Sequence, residues 1–339
     1  MQPTKTVRRK DIQNLPVKTQ WFSICLSFGF HCPPLREHKC TPTNIPISVM
    51  TTILEKTIAA PRLKTIITPR LRTMIEKVLD IEKEIQITDD AWIFDGIKLP
   101  HVVIDADGAW EYGLSDIVYP SYFKHNVEGF DDYYACIGNI FGDFSEGPYE
   151  YGNICLNEGD VVFDCGANMG LFSAVASRYG AEVFAFEAIP DFIDNYLSKT
   201  ASMNDNIRIF NVAVWDKEEA LNFSLIPDNI GASRADQLLG EDPNHIQGRK
   251  RFVVPAITLD AFVEKNGIRH VDFIKADIEG AERNMLRGAK RVLKEFAPKL
   301  SICTYHRHDD PQVLREIILE ANPEYQIIEK FKKMYACVP

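Results

Sequence analysis

The sequence has little of what several classes of protein require. Near the start, only the apolar stretch 21–30 resembles a membrane span or a signal peptide, and ten residues are too few to cross a bilayer. No small-x-small cleavage site follows them, so we expect a cytoplasmic chain with no membrane span. Basic residues do not outnumber acidic ones, since 38 Lys plus Arg against 48 Asp plus Glu give a net charge of −10. Because binding to phosphates needs clustered Lys and Arg, we expect no nucleic-acid partner.

Cysteine pairs with zinc-finger spacing are also missing. None of the eight cysteines forms a C-x-x-C motif, and free thiols in a reducing compartment are the simplest interpretation. One group of histidines and cysteines near the start matches no known zinc spacing, so we predict no metal site from it. Its members are His31, Cys32, His38 and Cys40.

Glycine is nearly absent from the first 90 residues, which hold one of the 19 glycines. Residues 1–70 hold eight of the 19 prolines. We therefore predict an N-terminal extension over residues 1–90, irregular at first and helical from about residue 51, with no role assigned. Residues 91–146 are rich in aromatics and glycine, and are predicted to form a lid or entry segment of short strands and loops. Its predicted strands are 91–94, 101–104 and 119–123.

Residues 147–339 form the main predicted domain, in which strand-like runs alternate with helical patterns from residue 160 onward. This alternation predicts an α/β fold with a doubly wound, mostly parallel sheet. The predicted core strands are 161–163, 182–186, 208–214, 271–276 and 300–304. The predicted helices are 171–179, 190–200, 259–266, 282–296 and 311–321.

Two additional pairs of strands are predicted in this domain. Strands 221–225 and 252–254 bracket a polar loop, 226–251, which is either a lid that contacts the acceptor or a solvated excursion. Strands 325–331 and 334–338 end the chain with only two residues between them. They must pair antiparallel, because a parallel crossover needs a dozen or more residues.

The turn in residues 159–170 lacks the G-x-G-x-x-G spacing that a dinucleotide site needs. Its glycines have the spacing Gly166-x-x-x-Gly170, and Asp164 precedes the first by two residues. A carboxylate at this place would repel a pyrophosphate, but it suits a ligand with an ammonium and a sulfonium group. S-adenosylmethionine (SAM) carries both, and N–H groups of the turn suit its carboxylate. The alternative is an ordinary Asp–Gly turn at the end of a buried strand.

A second acid, Glu187, ends the next predicted strand, 17 residues after Gly170. An acid at this point accepts hydrogen bonds from both ribose hydroxyls of a nucleoside, as in other nucleotide-binding units of this type. A solvated carboxylate at a strand end is the alternative. Two acids around one glycine turn are much less common than either alone.

Four blocks of the sequence resemble the FkbM family of SAM-dependent methyltransferases. They are D-C-G-A-N-M-G at 164–170, F-E-A-I-P at 186–190, T-L-D at 258–260 and K-A-D-I-E-G-A-E at 275–282. Residues 147–150 resemble the family's lead-in to the first strand, and Cys165 stands where Val is usual. The resemblance covers about residues 147–330 and implies a Rossmann-like class I methyltransferase fold that ends in an antiparallel hairpin. The residues expected to bind SAM are Tyr149, Asp164, Gly166, Ala167, Asn168, Gly170, Glu187 and Ala213.

The chemistry is expected at the carboxyl ends of the fourth and fifth core strands, where Asp277, Glu279 and His306 would converge beside the SAM methyl group. A sugar hydroxyl is a poor acid, so a base or a metal ion is needed. His306 has the pKa range of a base, with Asp277 to orient it. Alternatively, the three residues hold Mg²⁺ or Mn²⁺. Glu279 and Glu282 have a further alternative as acids that cap the next helix.

The resemblance implies methyl transfer to a hydroxyl oxygen, with a sugar, a glycan or a secondary metabolite as the acceptor. Transfer to nitrogen or carbon of a small molecule or peptide is one alternative. A non-catalytic partner protein that retains SAM is another. An NAD(P) oxidoreductase is disfavoured by the broken glycine pattern. The oligomeric state is left open.

Overall fold

The structure, a computed structural model, describes residues 86–88, 91–94, 96–100, 149–225, 234–238 and 250–339. The strands of these ranges are β1 (Gln86–Ile87), β2 (Ala91–Phe94), β3 (Ile97–Pro100), β4 (Val161–Cys165), β5 (Glu182–Phe186), β6 (Ile207–Phe210), β7 (Ala213–Val214), β8 (Glu219–Ser224), β9 (Arg234–Ala235), β10 (Arg251–Ile257), β11 (Phe273–Ala276), β12 (Lys299–Cys303), β13 (Gln326–Lys330) and β14 (Lys333–Cys337). The α-helices are α1 (Leu171–Arg178), α2 (Pro190–Phe192), α3 (Ser198–Met203), α4 (Leu259–Asn266), α5 (Glu282–Arg287), α6 (Lys290–Glu295) and α7 (Asp310–Ala321). None of these helices is long and apolar enough to cross a membrane.

Seven strands form the central sheet, in the order β13-β14-β12-β11-β4-β5-β6. β12, β11, β4, β5 and β6 run parallel to one another, whereas β14 is antiparallel to both β12 and β13. This arrangement confirms the predicted class I methyltransferase sheet and its closing hairpin. The chain runs outward from β4 in one direction and from β11 in the other, so the topological switch point lies between these two strands. Ligands bind at such a point, beside the carboxyl ends of the strands.

The core explains why β4 begins with a continuous apolar run, Val161 to Phe163, before the buried Asp164. Phe163 packs edge to face on Phe184, Phe186 and Phe262 on one face of the sheet. Val162 belongs to a separate apolar cluster on the other face. A parallel strand that is covered on both faces has no solvent side, so its sequence shows no alternation of polar and apolar residues.

The single strand predicted over 208–214 is wrong, because the chain changes sheets within it. β6 ends at Phe210 in the central sheet, and β7 pairs with β10 in a second sheet of order β7-β10-β8-β9. A tight turn separates them, in which Val212 N–H donates to the Phe210 carbonyl at 3.0 Å. The Asn211 amide donates to the carbonyls of Glu187 and Ala188, which ties this turn to the end of β5.

The helix predicted over 282–296 is also wrong as one element, because it breaks at Gly288 into α5 and α6. A Cβ at Gly288 would lie 2.0 Å from the Trp215 carbonyl oxygen, and the Gly288 carbonyl accepts the Asp260 N–H. The Asp260 carboxylate then accepts the N–H groups of Arg291 and Val292 at the start of α6. The helix predicted over 190–200 likewise divides into α2, a π-helical turn at Ile193–Leu197, and α3.

A three-stranded antiparallel sheet, β1-β2-β3, crosses the predicted boundary at residue 90, with β1 in the N-terminal extension and β2 and β3 in the entry segment. The predicted bounds of β2 are confirmed, whereas β3 was not predicted. Ile97 and Leu99 of β3 are buried in the same apolar cluster as Val162 and Phe172. The Asn204 amide after α3 bonds the backbone of Lys98. The described part of this segment therefore packs against the main domain.

Several predictions fall on residues outside the described ranges. They concern the N-terminal helix, the group His31, Cys32, His38 and Cys40, the strands 101–104 and 119–123, and most of the loop 226–251. Within that loop the structure describes β9 and a 3₁₀ turn at Asp236–Leu238.

Candidate active site

A cavity of about 300 Å³ opens at the switch point, beside the carboxyl ends of β4, β5 and β11. Eight of the predicted site residues line it, namely Tyr149, Gly166, Ala167, Asn168, Glu187, Ala213, Asp277 and Glu279. Its apolar wall includes Phe172, Phe186, Ile189, Phe192, Trp215 and Phe223. Three predicted residues, Asp164, Gly170 and His306, do not line it.

Two glycines in the turn after β4 have a backbone conformation that other residues rarely adopt. The φ angles of Gly166 and Gly170 are +75° and +90°. A Cβ at Gly166 would lie 2.0 Å from the Asp277 carbonyl oxygen, so this glycine allows the ends of β4 and β11 to approach. A Cβ at Gly170 would instead lie 2.7 Å from Leu197, so Gly170 serves packing at the start of α1.

Asp164 has a partner inside the protein, contrary to the expectation that it meets a ligand. Its side chain is fully buried, and Lys275 Nζ lies 2.9 Å from Asp164 Oδ1. The Ser173 hydroxyl donates to Oδ2 at 2.6 Å. Burial alone would lower the pKa of Lys275, but the Asp164 carboxylate raises it above its usual value. The Lys275 ammonium also donates to the Gly166 carbonyl at 2.6 Å. The Asp164–Lys275 ion pair therefore also restrains the glycine turn.

Glu187 follows β5 and holds the other side of the turn. One carboxylate oxygen accepts the Asn168 N–H at 2.7 Å, and the other accepts the Ile189 N–H at 2.8 Å. Burial raises the pKa of Glu187 despite these two hydrogen bonds. The carboxylate lines the cavity, and its orientation is set by the backbone.

Asp277 lies at the end of β11 and is held by two phenol groups. Tyr149 donates to Oδ2 at 2.8 Å, and Tyr305 donates to Oδ1 at 3.1 Å. Burial would raise the pKa of Asp277, but Lys275, Lys333 and the other neighbouring donors hold it below its usual value. The Asp277 side chain is therefore an oriented, ionised carboxylate in the cavity wall.

His306 lies directly behind the cavity, among three carboxylates. Its Nε2 is 3.6 Å from Asp277 Oδ1 and 3.6 Å from Glu279 Oε2, and its Nδ1 is 3.1 Å from Glu282 Oε1. Burial would lower the pKa of His306, but Glu279 and Glu282 raise it to about 10. A protonated imidazole has no lone pair with which to accept a proton. This pKa argues against the free base that the sequence led us to expect.

Comparison with known proteins assigns the family. The sequence signature described as the methyltransferase FkbM domain matches residues 164–334, which is half of the chain. The chain belongs to the FkbM methyltransferase family. This confirms the resemblance found in the four sequence blocks.

Individual members of the FkbM family are distant in sequence. The chain is 24% identical over 170 residues to the hexuronic acid methyltransferase AglP of Haloferax volcanii, covering 50% of this chain and 66% of AglP. It is 24% identical over 185 residues to the 2-O-methyltransferase NoeI of Sinorhizobium fredii, covering 51% and 75%. It is 25% identical over 202 residues to the 31-O-demethyl-FK506 methyltransferase FkbM of Streptomyces tacrolimicus, covering 52% and 75%. The chain thus spans just under two thirds of the length of AglP.

A solved FkbM methyltransferase from Methylobacillus flagellatus is similar to this chain with a TM-score of 0.40 and 22% identity. The similarity covers 54% of this chain and 44% of the solved chain.

Three site residues of this FkbM family member were not anticipated. Lys275 lies in one of the four sequence blocks but had no expected role, although the register of β4 and β11 aligns it with Asp164. That register follows once the two strands are neighbours, so the ion pair was open to prediction. Glu282 was expected mainly as a helix cap, and Tyr305 as a neighbour of His306. Their contacts depend on loop geometry after β11 and β12, for which the sequence has no periodic signal.

Proposed function

We propose that this protein is a SAM-dependent methyltransferase that transfers a methyl group to a hydroxyl oxygen of a sugar, a glycan or a secondary metabolite. The observation that carries the proposal is the Glu187 carboxylate in the cavity wall, held by two N–H groups of the loops around it. A nucleoside ribose presents two hydroxyl donors, which fit an oriented carboxylate at the end of the second core strand. Membership of the FkbM family supports the same activity.

The residues around the cavity fit the other groups of SAM. The side-chain oxygen of Asn168 is buried, and within the described residues it has no hydrogen-bond partner. Because Asp164 is paired with Lys275, Asn168 is the better candidate to accept from the ammonium group. The N–H groups of Gly166 and Ala167 donate to the Phe186 carbonyl and that of Asn168 to Glu187, so the expectation that this turn binds the SAM carboxylate is not carried forward. The apolar wall near Ala213 suits the adenine. When bound, SAM supplies an activated methyl group.

Asp277 and its neighbours are proposed to act on the acceptor. The ionised Asp277 carboxylate in the cavity wall can accept a hydrogen bond from the acceptor hydroxyl, align its oxygen for in-line displacement, and take up the hydroxyl proton as the methyl group is transferred. Tyr149 and Tyr305 restrict the carboxylate to one orientation. Glu279 lies beside it in the wall, and His306 adds positive charge behind both acids. Asp277 and Glu279 are therefore the acids proposed to face the acceptor, and His306 is proposed to position them from behind the cavity.

The acceptor class rests on what the relatives' names say. AglP is named as a hexuronic acid methyltransferase, NoeI as a 2-O-methyltransferase, and the Streptomyces protein as a methyltransferase of 31-O-demethyl-FK506. Two of these names specify oxygen, and one names a sugar acid. They support an oxygen acceptor on a sugar or a metabolite without selecting one compound.

Transfer of tritium from methyl-labelled SAM to a panel of sugars, uronic acids, glycans and polyketides tests the proposal. We expect an O-methyl product, located by nuclear magnetic resonance, and loss of transfer in Glu187→Gln. Glu182→Gln at the exposed start of the same strand is the control, and it should transfer normally. Label on nitrogen or carbon would contradict the oxygen acceptor. Tight SAM binding without transfer to any compound would favour a non-catalytic partner.

A further inference from the structure

The side chains that surround His306 form a buried group with the chemistry of metal ligands. Ligand atoms of Asp277, Glu282 and His306 all lie within 4.8 Å of one another. The side chains of Glu282 and His306 are 0% and 4% exposed. Ligands on opposite sides of Mg²⁺ or Mn²⁺ stand roughly 4.2 Å apart, so the group closes around an ion with small movements.

A second observation is that a buried oxygen of this group has no hydrogen-bond partner among the described residues. Glu282 Oε1 accepts the Ile278 N–H at 2.9 Å, which fixes the carboxylate. Its other oxygen, Oε2, is buried and has no hydrogen-bond partner among the described residues. His306 Nδ1 faces the same carboxylate, 3.1 Å from Oε1. A buried carboxylate oxygen is rarely left without a partner, and a cation bound between Glu282 and one ring nitrogen of His306 would satisfy it.

Asp277 is held in one orientation by hydrogen bonds, as carboxylates that bind metals commonly are. Two phenol hydroxyls, from Tyr149 and Tyr305, donate to its carboxylate. Carboxylates that bind metals are commonly held by such outer hydrogen bonds, which set the geometry of the site. Because Asp277 also lines the cavity, an ion bound to it would be within reach of an acceptor hydroxyl.

We propose that Asp277, Glu282 and His306 bind one divalent cation of the Mn²⁺ or Mg²⁺ type. Two carboxylates and one imidazole favour this class of ion over soft metals that need thiolates. The ion would displace the His306 proton to solvent and take its place beside the carboxylates. Glu279 is assigned to the periphery, because its side chain is 25% exposed and lies 3.6 Å from Arg234. The ion would lower the pKa of a coordinated hydroxyl, and this chemical role rests on the proposed methyl transfer. The existence of the ion site does not depend on that function.

Titration of the full chain with Mn²⁺, followed by electron paramagnetic resonance of the free ion, tests the site. We expect one ion per chain, displaced by excess Mg²⁺. His306→Ala and Glu282→Gln should each weaken binding at least about tenfold. Glu279→Gln and His308→Ala should bind nearly as wild type, since His308 is an exposed histidine outside the group. If the buried Glu282→Gln variant does not fold by circular dichroism, Asp277→Asn replaces it.

Absence of Mn²⁺ binding, or equal binding by wild type and His306→Ala, would overturn the site. SAM affinity measured by calorimetry in EDTA separates this result from a failure of the proposed function. SAM binding without Mn²⁺ binding would reject the ion and leave the methyltransferase intact. Mn²⁺ binding without SAM binding would support the ion site and reject the proposed methyltransferase function.

Discussion

Lys275 Nζ lies 2.9 Å from Asp164 Oδ1 in the middle of the sheet, with both side chains almost completely buried. The pair joins β4 to β11 at the switch point, and the lysine also bonds the Gly166 carbonyl. Removing one member of a buried pair leaves a charge without compensation. Removing both leaves neither charge.

Lys275→Met should lower the free energy of unfolding by about 3–5 kcal/mol, because it leaves the Asp164 carboxylate buried alone. The double variant Asp164→Asn/Lys275→Met should be more stable than Lys275→Met. Urea unfolding of the four proteins in the cycle measures the coupling. Lys265→Met is the control, since the Lys265–Glu218 pair is exposed and should matter little. Additive effects of the two core substitutions would contradict the coupling.

Gly166→Ala should be more damaging than Gly152→Ala. Both positions have positive φ, so alanine costs about 1–2 kcal/mol of backbone strain at each. At Gly166 the new Cβ would meet the Asp277 carbonyl oxygen at 2.0 Å, whereas at Gly152 it would meet no atom of the described residues within 4 Å. Thermal unfolding and SAM calorimetry of both variants measure the difference. Equal losses would mean that the close approach of β4 and β11 is unimportant.

Asn168→Gly should weaken SAM binding with little loss of stability. Glycine tolerates the φ of +52° at this position, so the substitution removes the side-chain amide without backbone strain. The loss of affinity measures the contribution of the buried Asn168 Oδ1, which we propose accepts a hydrogen bond from the SAM ammonium group. S-adenosylhomocysteine carries the same ammonium and should lose affinity in parallel. An unchanged dissociation constant would remove Asn168 from the site.

SAM affinity should fall in mildly acidic solution because of Glu187. Burial raises its pKa, so the carboxylate is protonated at a higher pH than an ordinary glutamate. Ribose hydroxyls donate to the ionised form, and affinity is therefore lost as the pH falls through the pKa of the free protein. Calorimetry from mildly acidic to neutral pH tests this, with Glu187→Gln expected to show a weaker and flatter profile. A wild-type profile as flat as that of the variant would contradict the assignment.

The sheet was predictable because strand and helix periodicities are local, and because a two-residue connection permits only antiparallel pairing. The breaks at Phe210 and Gly288 were not, since they depend on contacts between distant segments, such as Gly288 against Trp215. Glu187 lines the cavity, as a position at a strand end allows, and its contact with ribose stays a prediction. The partner of Asp164 was missed because a carboxylate beside a glycine turn was matched with a ligand before the neighbouring strand was considered. The positions of Glu282 and Tyr305 required the loops after β11 and β12.

Isothermal titration of the wild-type protein with SAM, S-adenosylhomocysteine and NAD shows whether the cavity at the switch point is a SAM site. SAM and S-adenosylhomocysteine should bind with one site per chain, and NAD should not bind at the same concentration. A nucleotide preference in the opposite direction, or no binding of either SAM compound at millimolar concentration, would contradict it.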